Sequence, residues 1–199
     1  MSRKNLQEER RIQILQALEK CLIKKPFHET SIKDIAEAAK VNHGSLHYYF
    51  TSKEDILLNF IEYIITQYKN DFLRFMDQNN NEGKELLIEG MRFGIQKITL
   101  NKNLSRLFIE IWSIANYNKK VRLKLQMMYS EWIHTVSQVI YRTVNNQEEA
   151  ELTSKALISF FEGTSLLSAL LDSKLYNGEE ILGSFQELAI GVINSVYKE

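Results

Sequence analysis

Apolar residues recur at every third or fourth position along most of the chain, which is the spacing of a helix with one buried face. No stretch alternates apolar and polar residues for long enough to predict a strand, so we expect an all-α fold. The pattern predicts two short helices between residues 30 and 53, and longer helices at roughly 8–25, 52–76, 84–100, 103–116, 119–144, 147–172 and 178–197.

Local signals indicate where the first helices begin and end. Pro26, the only proline of the chain, ends the first helix, and residues 1–7 are expected to form a frayed basic arm before it. Ser31 and Ser52 each lie three residues before an aspartate, which is the spacing of a capping box. These two serines predict the starts of the second and the fourth helix.

The two short helices, with a tight turn between them, have the layout of a helix-turn-helix. An exposed helix face of histidines, serine and tyrosine contributes little to stability, whereas such side chains are suited to base edges and phosphates. In helical projection Leu46, Tyr49 and Phe50 point inward, and the opposite face carries Gly44, Ser45, His47 and Tyr48, with His43 at its edge.

The same stretch resembles the DNA-binding signature of TetR-type transcriptional regulators. The resemblance rests on Thr30-Ser31, Ile35-Ala36, Val41, Gly44-Ser45-Leu46, Tyr48-Tyr49-Phe50 and Lys53. It implies an N-terminal three-helix DNA-binding head at 1–52, a C-terminal helical ligand-binding and dimerisation domain at 53–199, and repression as the usual mode of action. The chain departs from the family pattern at Lys40, Asn42 and His47, where glycine, serine and tyrosine are usual.

Lys40 falls in the turn between the short helices, where a left-handed backbone is often needed. A lysine in that conformation costs about 1 kcal/mol relative to glycine. We therefore expect a tolerated strain in this surface turn; the alternative is a lysine that also contacts a DNA phosphate.

The predicted DNA contacts are of three kinds. Ser31, Lys33 and Lys53 are expected to anchor phosphates, and Lys53 matches the family's backbone-contacting lysine. Tyr49 is expected to reach the DNA backbone. The residues expected to read base edges are His43, Ser45, His47 and Tyr48, on the face that they share with Gly44.

The last two predicted helices carry apolar residues on more than one side, and such helices must be covered on both sides. As in the resembled family, we expect a four-helix interface between two copies of the chain. Its predicted contacts are Phe161, Leu166, Leu170, Phe185 and Ile193. The alternative is that both helices pack inside one copy. A homodimer would present two recognition helices to half-sites about 34 Å apart in a palindromic operator.

Aromatic and apolar residues with a few polar groups are typical of a small-molecule cavity. The predicted effector contacts in the middle and last helices are Met91, Phe108, Glu110, Trp112, Met127, Trp132 and Glu162. Glu110 and Glu162 lie among apolar neighbours, where a buried carboxylate needs a partner. A cationic or hydrogen-bond-donating effector would be one partner; a salt bridge to Arg92, Arg106 or Arg122 is the alternative.

The charge distribution favours nucleic-acid binding by the N-terminal part. The 199 residues carry no net charge, but residues 1–53 hold ten Lys and Arg against six Asp and Glu. The one cysteine, Cys21, lies in an apolar helical pattern, and we interpret it as a core residue rather than a redox sensor. The sequence shows neither a signal peptide nor an apolar run of about 20 residues, so a cytoplasmic protein without a membrane partner is expected.

No enzyme is predicted, because the sequence shows no Gly-rich phosphate loop, no cysteine cluster and no paired acid–base spacing. His43 and His47 are four residues apart without further evident ligands, so neither a metal nor another cofactor is expected. We predict a sequence-specific DNA-binding transcriptional regulator, a repressor that a small molecule releases from its operator. The alternatives are a helical ligand carrier or adaptor whose head binds protein, and an all-helical enzyme that uses the pocket carboxylates.

Overall fold

The computed structural model describes residues 3–196, except for the side chains at 3, 4, 83, 84, 87, 98, 143 and 189–196. Between residues 3 and 196 the chain is helical apart from short connections and contains no strand, which confirms the predicted all-α fold. The helices are α1 Arg3–Leu22, α2 Ile32–Ala38, α3 His43–Tyr49, α4 Lys53–Gln78, α5 Gly83–Phe93, α6 Lys102–Tyr117, α7 Lys119–Val144, α8 Gln147–Leu170 and α9 Gly178–Val196. A 3-10 turn at Phe27–Glu29 precedes α2, and a π-helical turn at Gly94–Thr99 follows α5.

The first helix differs from its prediction at both ends. Residues 3–7 are not a frayed arm but part of α1, and Gln7 Nε2 donates a hydrogen bond to the Tyr48 hydroxyl at 2.7 Å. The prediction missed this extension because the contact joins positions 41 residues apart. At the other end α1 stops at Leu22, since the residue before Pro26 is disfavoured in a helix and the chain turns at 23–25. Residues 1 and 2 of the predicted arm lie outside the described residues.

The predicted capping positions hold for α2 and α4. Ser31 is the N-cap of α2 in a complete capping box. At the start of α4, the Ser52 hydroxyl accepts a hydrogen bond from the backbone N–H of Asp55 at 3.0 Å. The Asp55 carboxylate reaches back to the N–H of Thr51 at 2.9 Å rather than to that of Ser52. Both helices therefore begin where the serine–aspartate spacing predicted.

The described chain forms two compact units. The head unit comprises the residues up to Tyr68 together with Leu107–Met128, and the body unit comprises Lys69–Arg106 together with the residues from Tyr129 onward. α4, α6 and α7 each supply residues to both units. These units are defined by compactness, whereas the predicted division into 1–52 and 53–199 is by function. That functional division stays a prediction.

Apolar side chains of α1 to α4 form the core of the head unit. Its most deeply buried members include Ile14, Leu18, Ile35, Leu46, Phe50, Ile56, Leu57 and Phe60. Ala36 is also buried, and its small side chain lets α2 approach its neighbours closely. Cys21 is buried as predicted, and this burial raises the pKa of its thiol above the ordinary value.

An aromatic cluster forms part of the core of the body unit. Its buried members are Phe72, Met76, Leu86, Phe93 and Val139, with Phe75 and Trp132 packed against them. The rings of Phe72 and Trp132 meet edge to face at 5.3 Å between centroids. No helix in the described part of the chain is long and apolar enough to cross a membrane.

Candidate nucleic-acid interface and effector region

The start of α2 is held by a local network of polar side chains. The Ser31 hydroxyl accepts from the N–H of Asp34 at 3.1 Å, and the Asp34 carboxylate accepts from the N–H of Ser31 at 2.7 Å. Lys25 Nζ lies 2.8 Å from the same carboxylate. The hydrogen bonds from Lys25 and Ser31 hold the pKa of Asp34 well below its ordinary range. This network fixes the first helix of the helix-turn-helix.

The turn between α2 and α3 contains the predicted left-handed residue. Lys40 has φ of 53°, which confirms the expected left-handed conformation. The N–H of Val41 donates to the carbonyl of Ala36 at 3.0 Å, and Gln13 Nε2 of α1 donates to the carbonyl of Ala39 at 2.6 Å. The Asn42 side chain then caps α3 by accepting from the N–H of Gly44 at 2.9 Å.

The recognition helix α3 presents the face that the sequence predicted. Leu46 is fully buried, whereas His43, Gly44, Ser45, His47 and Tyr48 are exposed. The Tyr48 side chain is 66% exposed, and the His43 and His47 rings meet edge to face at 5.4 Å. A Cβ added at Gly44 would meet only the Asn42 side chain, at 3.5 Å, so the head's own packing leaves this position open.

Arg11 of α1 supports the C-terminal end of α3. Its guanidinium donates to the carbonyl of Tyr49 at 2.6 Å and to Asn59 Oδ1 at 2.9 Å. It also lies 4.3 Å from the centroid of the Phe50 ring, in a cation–π contact. Tyr49 is half-buried. Sequence reasoning missed Arg11 because its contacts join positions 38 and 48 residues apart, and no local pattern signals them.

The three predicted phosphate anchors have different surroundings. Ser31 and Lys33 are exposed on α2. Lys53 is half-buried, and its ammonium donates to the carbonyls of Phe27 and Thr30, both at 2.8 Å. The same ammonium lies 4.3 Å from the centroid of the Phe27 ring, and burial lowers its pKa. Lys53 is therefore engaged inside the head unit.

Glu110 of α6 also contacts the turn at Phe27. Its Oε1 accepts a hydrogen bond from the N–H of Phe27 at 2.6 Å. In the described structure the predicted salt bridges to Glu110 do not form: Arg92 pairs with Glu89, and Arg122 donates to the carbonyls of Ala115 and Asn116. The partner of the Glu110 carboxylate is thus a backbone N–H 83 residues away. The sequence predicted only an effector or an arginine as its partner.

The seven predicted effector contacts are distributed over both units. Phe108, Glu110, Trp112 and Met127 belong to the head unit, and Met91, Trp132 and Glu162 to the body unit. The rings of Phe108 and Trp112 are 6.0 Å apart. Met127 is 67% exposed, Met91 is buried, and Trp132 packs on the aromatic cluster. Neither unit by itself brings the predicted set together.

Glu162 of α8 is a carboxyl of the body unit with a raised pKa. It is partly buried and accepts a hydrogen bond from the Tyr129 hydroxyl at 3.0 Å. Burial raises its pKa to about 7, and within the described residues no Lys, Arg or His forms an ion pair with it. Further along α8 the hydroxyl of Ser165 lies 2.6 Å from that of Ser105, and the buried Ser168 hydroxyl has no hydrogen-bond partner among the described residues.

The predicted dimer contacts fall into three groups. Phe161 and Phe185 belong to a ring cluster with Phe160, which stacks on Phe185 at 4.1 Å. Leu166 is half-buried and Leu170 is 63% exposed, while the Ile193 side chain lies outside the described residues. The exposed large apolar side chains described for α8, α9 and the segment between them are Leu152, Leu167, Leu170, Leu171, Leu175 and Leu188. Within the described part of the chain no three His, Cys, Asp or Glu side chains are placed to hold a metal ion.

These features define a helix-turn-helix protein with an exposed recognition helix and a separate helical body. Residues 14–60 match the model of the bacterial regulatory proteins of the tetR family. The regulator BetI of Yersinia pestis (strain Pestoides F) is 22% identical over 201 residues, which cover all of both chains. The match over residues 14–60 and the similarity to BetI confirm the resemblance of residues 30–53 to TetR-type transcriptional regulators.

Solved structures of such regulators share the fold over most of the chain. A Saccharomonospora viridis regulator in complex with choline gives a TM-score of 0.76 at 19% identity, covering 90% of this chain and 96% of that one. FadR of Bacillus subtilis in complex with stearoyl-CoA gives 0.73 at 18% identity, covering 89% and 96%. These relatives are transcriptional regulators, which supports the prediction that the chain is not an enzyme.

Proposed function

We propose that the chain is a homodimeric repressor that binds a palindromic operator and leaves it when a small molecule binds the body. The observation that carries this proposal is the exposed face of α3, where Ser45, His47 and Tyr48 point to solvent on a helix that Leu46 anchors in the core. A helix of this kind, second in a helix-turn-helix, is suited to the major groove.

The proposed roles of the head residues follow from their exposure. His43, Ser45, His47 and Tyr48 read base edges, and the open side of Gly44 allows the DNA to come close to the backbone of α3. Ser31 and Lys33 lie exposed on α2 and bind phosphates, with Tyr49 at the edge of the contact. Arg11 and Gln7 do not touch DNA in this proposal but hold α3 in place from α1.

Dimerisation through α8 and α9 is supported by the apolar side chains that a single copy leaves in water. The exposed side chains are those of Leu167, Leu170, Leu171 and Leu188. At the centre of an interface between two copies they would be shielded from water. A second copy seated on these helices covers them and places a second α3 against the operator. Half-sites about 34 Å apart would then be bound together.

The effector proposal rests on Glu162. A partly buried carboxyl with a tyrosine hydroxyl as its partner, and without an ion pair among the described residues, favours an effector that brings a cation or a hydrogen-bond donor. One solved regulator of the same fold is in complex with choline and another with stearoyl-CoA, so both cationic and acyl effectors fit this fold. Glu162 favours the cationic class for this chain.

Selection of bound fragments from a random duplex pool tests the proposal. We expect a palindrome whose half-site spacing is about one helical turn or a multiple of it, and an affinity that falls steeply with added salt. Choline and stearoyl-CoA are then added separately to the selected complex, and release by choline is expected. A chain that enriches no duplex at low ionic strength would instead be the protein-binding adaptor of the alternative interpretation.

A further inference from the structure

Two side chains from distant helices bind the backbone of the turn that joins α1 to α2. The N–H of Phe27 donates to Glu110 Oε1 of α6 at 2.6 Å, and the carbonyl of Phe27 accepts from Lys53 Nζ of α4 at 2.8 Å. Lys53 Nζ also donates to the carbonyl of Thr30 at 2.8 Å, one residue before the N-cap of α2. All of these residues belong to the head unit.

Glu110 accepts a hydrogen bond from the backbone N–H of Phe27, which has no acceptor within its own turn. Phe27 is the first residue of the 3-10 turn, and its N-cap Pro26 offers no side-chain hydrogen bond. The first N–H groups of a helical turn have no acceptor within it. A carboxylate at this position accepts a charge-assisted hydrogen bond, which is stronger than one between neutral groups. Without this contact the N–H of Phe27 and the carboxylate of Glu110 would each lose a hydrogen-bond partner.

Most of the hydrogen-bonding capacity of the Lys53 ammonium is used within the head unit and is not left for DNA. An ammonium has three donors, and two of them bind the carbonyls of Phe27 and Thr30. The Phe27 ring covers the ammonium at 4.3 Å, and burial lowers its pKa. Only one N–H of the ammonium remains for a phosphate, and the Phe27 ring lies over part of its surface. Lys33, which is exposed on α2 without a hydrogen bond or ion pair among the described residues, has no such restriction.

We propose that Lys53 and Glu110 are positioning residues that hold the Phe27 turn, and with it the start of α2, in the arrangement that presents α3 to DNA. Lys53 is thus not a phosphate anchor, and Glu110 is not an effector contact. This inference rests on the proposed function only for the statement that the positioned surface binds DNA.

Hydrogen exchange of the full chain tests the contact without any DNA. In Glu110→Ala, and in Lys53→Met, exchange at the amides of 27–30 is expected to rise about tenfold, because their hydrogen bonds open more often. Glu110→Gln keeps an oxygen acceptor and is expected to exchange like the unaltered chain. Lys33→Met is the matched control and leaves this exchange unchanged. Unchanged exchange in Glu110→Ala would overturn the proposal.

Salt dependence separates positioning from phosphate binding, with the duplex selected by the unaltered chain as the probe. Lys33→Met is expected to reduce the slope of log affinity against log salt by about 1, since one phosphate contact is lost. Lys53→Met is expected to bind less tightly at every salt concentration with the slope unchanged. A slope reduced by about 1 in Lys53→Met, with normal exchange at 27–30, would make Lys53 a phosphate anchor and overturn the inference.

Two further outcomes have separate meanings. If Lys53→Met does not fold, the contrast between Glu110→Ala and Glu110→Gln decides the role of the contact. If the unaltered chain enriches no duplex, the proposed function fails, while the exchange experiment still judges whether Glu110 and Lys53 hold the turn.

Discussion

The head unit and the body unit differ in how they satisfy their polar and apolar groups. In the head, Arg11, Lys53 and Glu110 each bind backbone groups of a distant segment, so the surface that carries α3 is fixed by contacts within the unit. In the body, Glu162 has no ion pair among the described residues, and leucines of α8 and α9 remain in water. Under the proposed function, the surface of the head is already formed before DNA binds, whereas the body needs a second copy and an effector to complete its contacts.

The largest effect is expected from a charge placed on the exposed leucines of the body. Leu170→Asp would put a carboxylate at the centre of the proposed interface and dissociate the dimer. Loss of two-site binding should then lower the affinity for a palindromic duplex by about 100-fold or more. Sedimentation and duplex titration measure both effects.

The control for this substitution is Leu123→Asp, at a 50% exposed leucine of α7 in the head unit, which is expected to leave the dimer intact. A Leu170→Asp chain that sediments as the unaltered one does would mean that the exposed leucines are not an interface.

The next effect concerns the preformed surface of the head. His47→Ala removes one proposed base contact, and the affinity for the selected duplex should fall by about 1–3 kcal/mol with relaxed preference at one base pair. Binding titrations against single-base variants of the duplex measure it. His134→Ala, at an exposed histidine of α7 in the body unit, is the control and should bind normally. Equal behaviour of the two variants would remove His47 from the contact surface.

A smaller effect is expected at Glu162, through pH. Its pKa is raised to about 7 in the folded chain, so the folded state holds the proton over a range in which the unfolded state has lost it. The contribution of Glu162 to the unfolding free energy is therefore fully present below its ordinary pKa and is lost as the pH rises through about 7. Glu162→Gln removes this decline and should stabilise the chain at pH 8 by roughly 1 kcal/mol, after allowance for partial exposure.

Thermal unfolding of both chains between pH 5 and pH 8 measures the difference. The two curves should lie close together at pH 5 and separate toward pH 8. A constant separation across this range would show that Glu162 does not titrate there.

The smallest effect is expected in the turn of the head. Lys40→Gly removes a lysine from a left-handed conformation with φ of 53°, and should raise the unfolding free energy by up to about 1 kcal/mol. The base preference on the selected duplex should stay the same. A lower melting temperature in this variant would contradict the strain at Lys40.

The parts of the head that were predicted correctly depend on residues close together in sequence. The Ser31–Asp34 box, the left-handed Lys40 and the orientation of α3 each follow from a window of a few residues. The extension of α1 through residues 3–7 was missed because it involves a contact with α3. The predicted effector set rested on residue type alone, which does not say which unit a side chain belongs to.

The amino-acid sequence by itself determined the all-α class, the caps at Ser31 and Ser52, the exposed face of α3 and the resemblance to TetR-type regulators, because helix periodicity, capping and turn conformation act over distances of a few residues. Only the tertiary structure decided that Lys53 and Glu110 bind the Phe27 turn and that Arg11 supports α3. These partners lie 26 to 83 residues apart, and a charged side chain has many acceptors to choose from until the fold brings one within hydrogen-bonding distance.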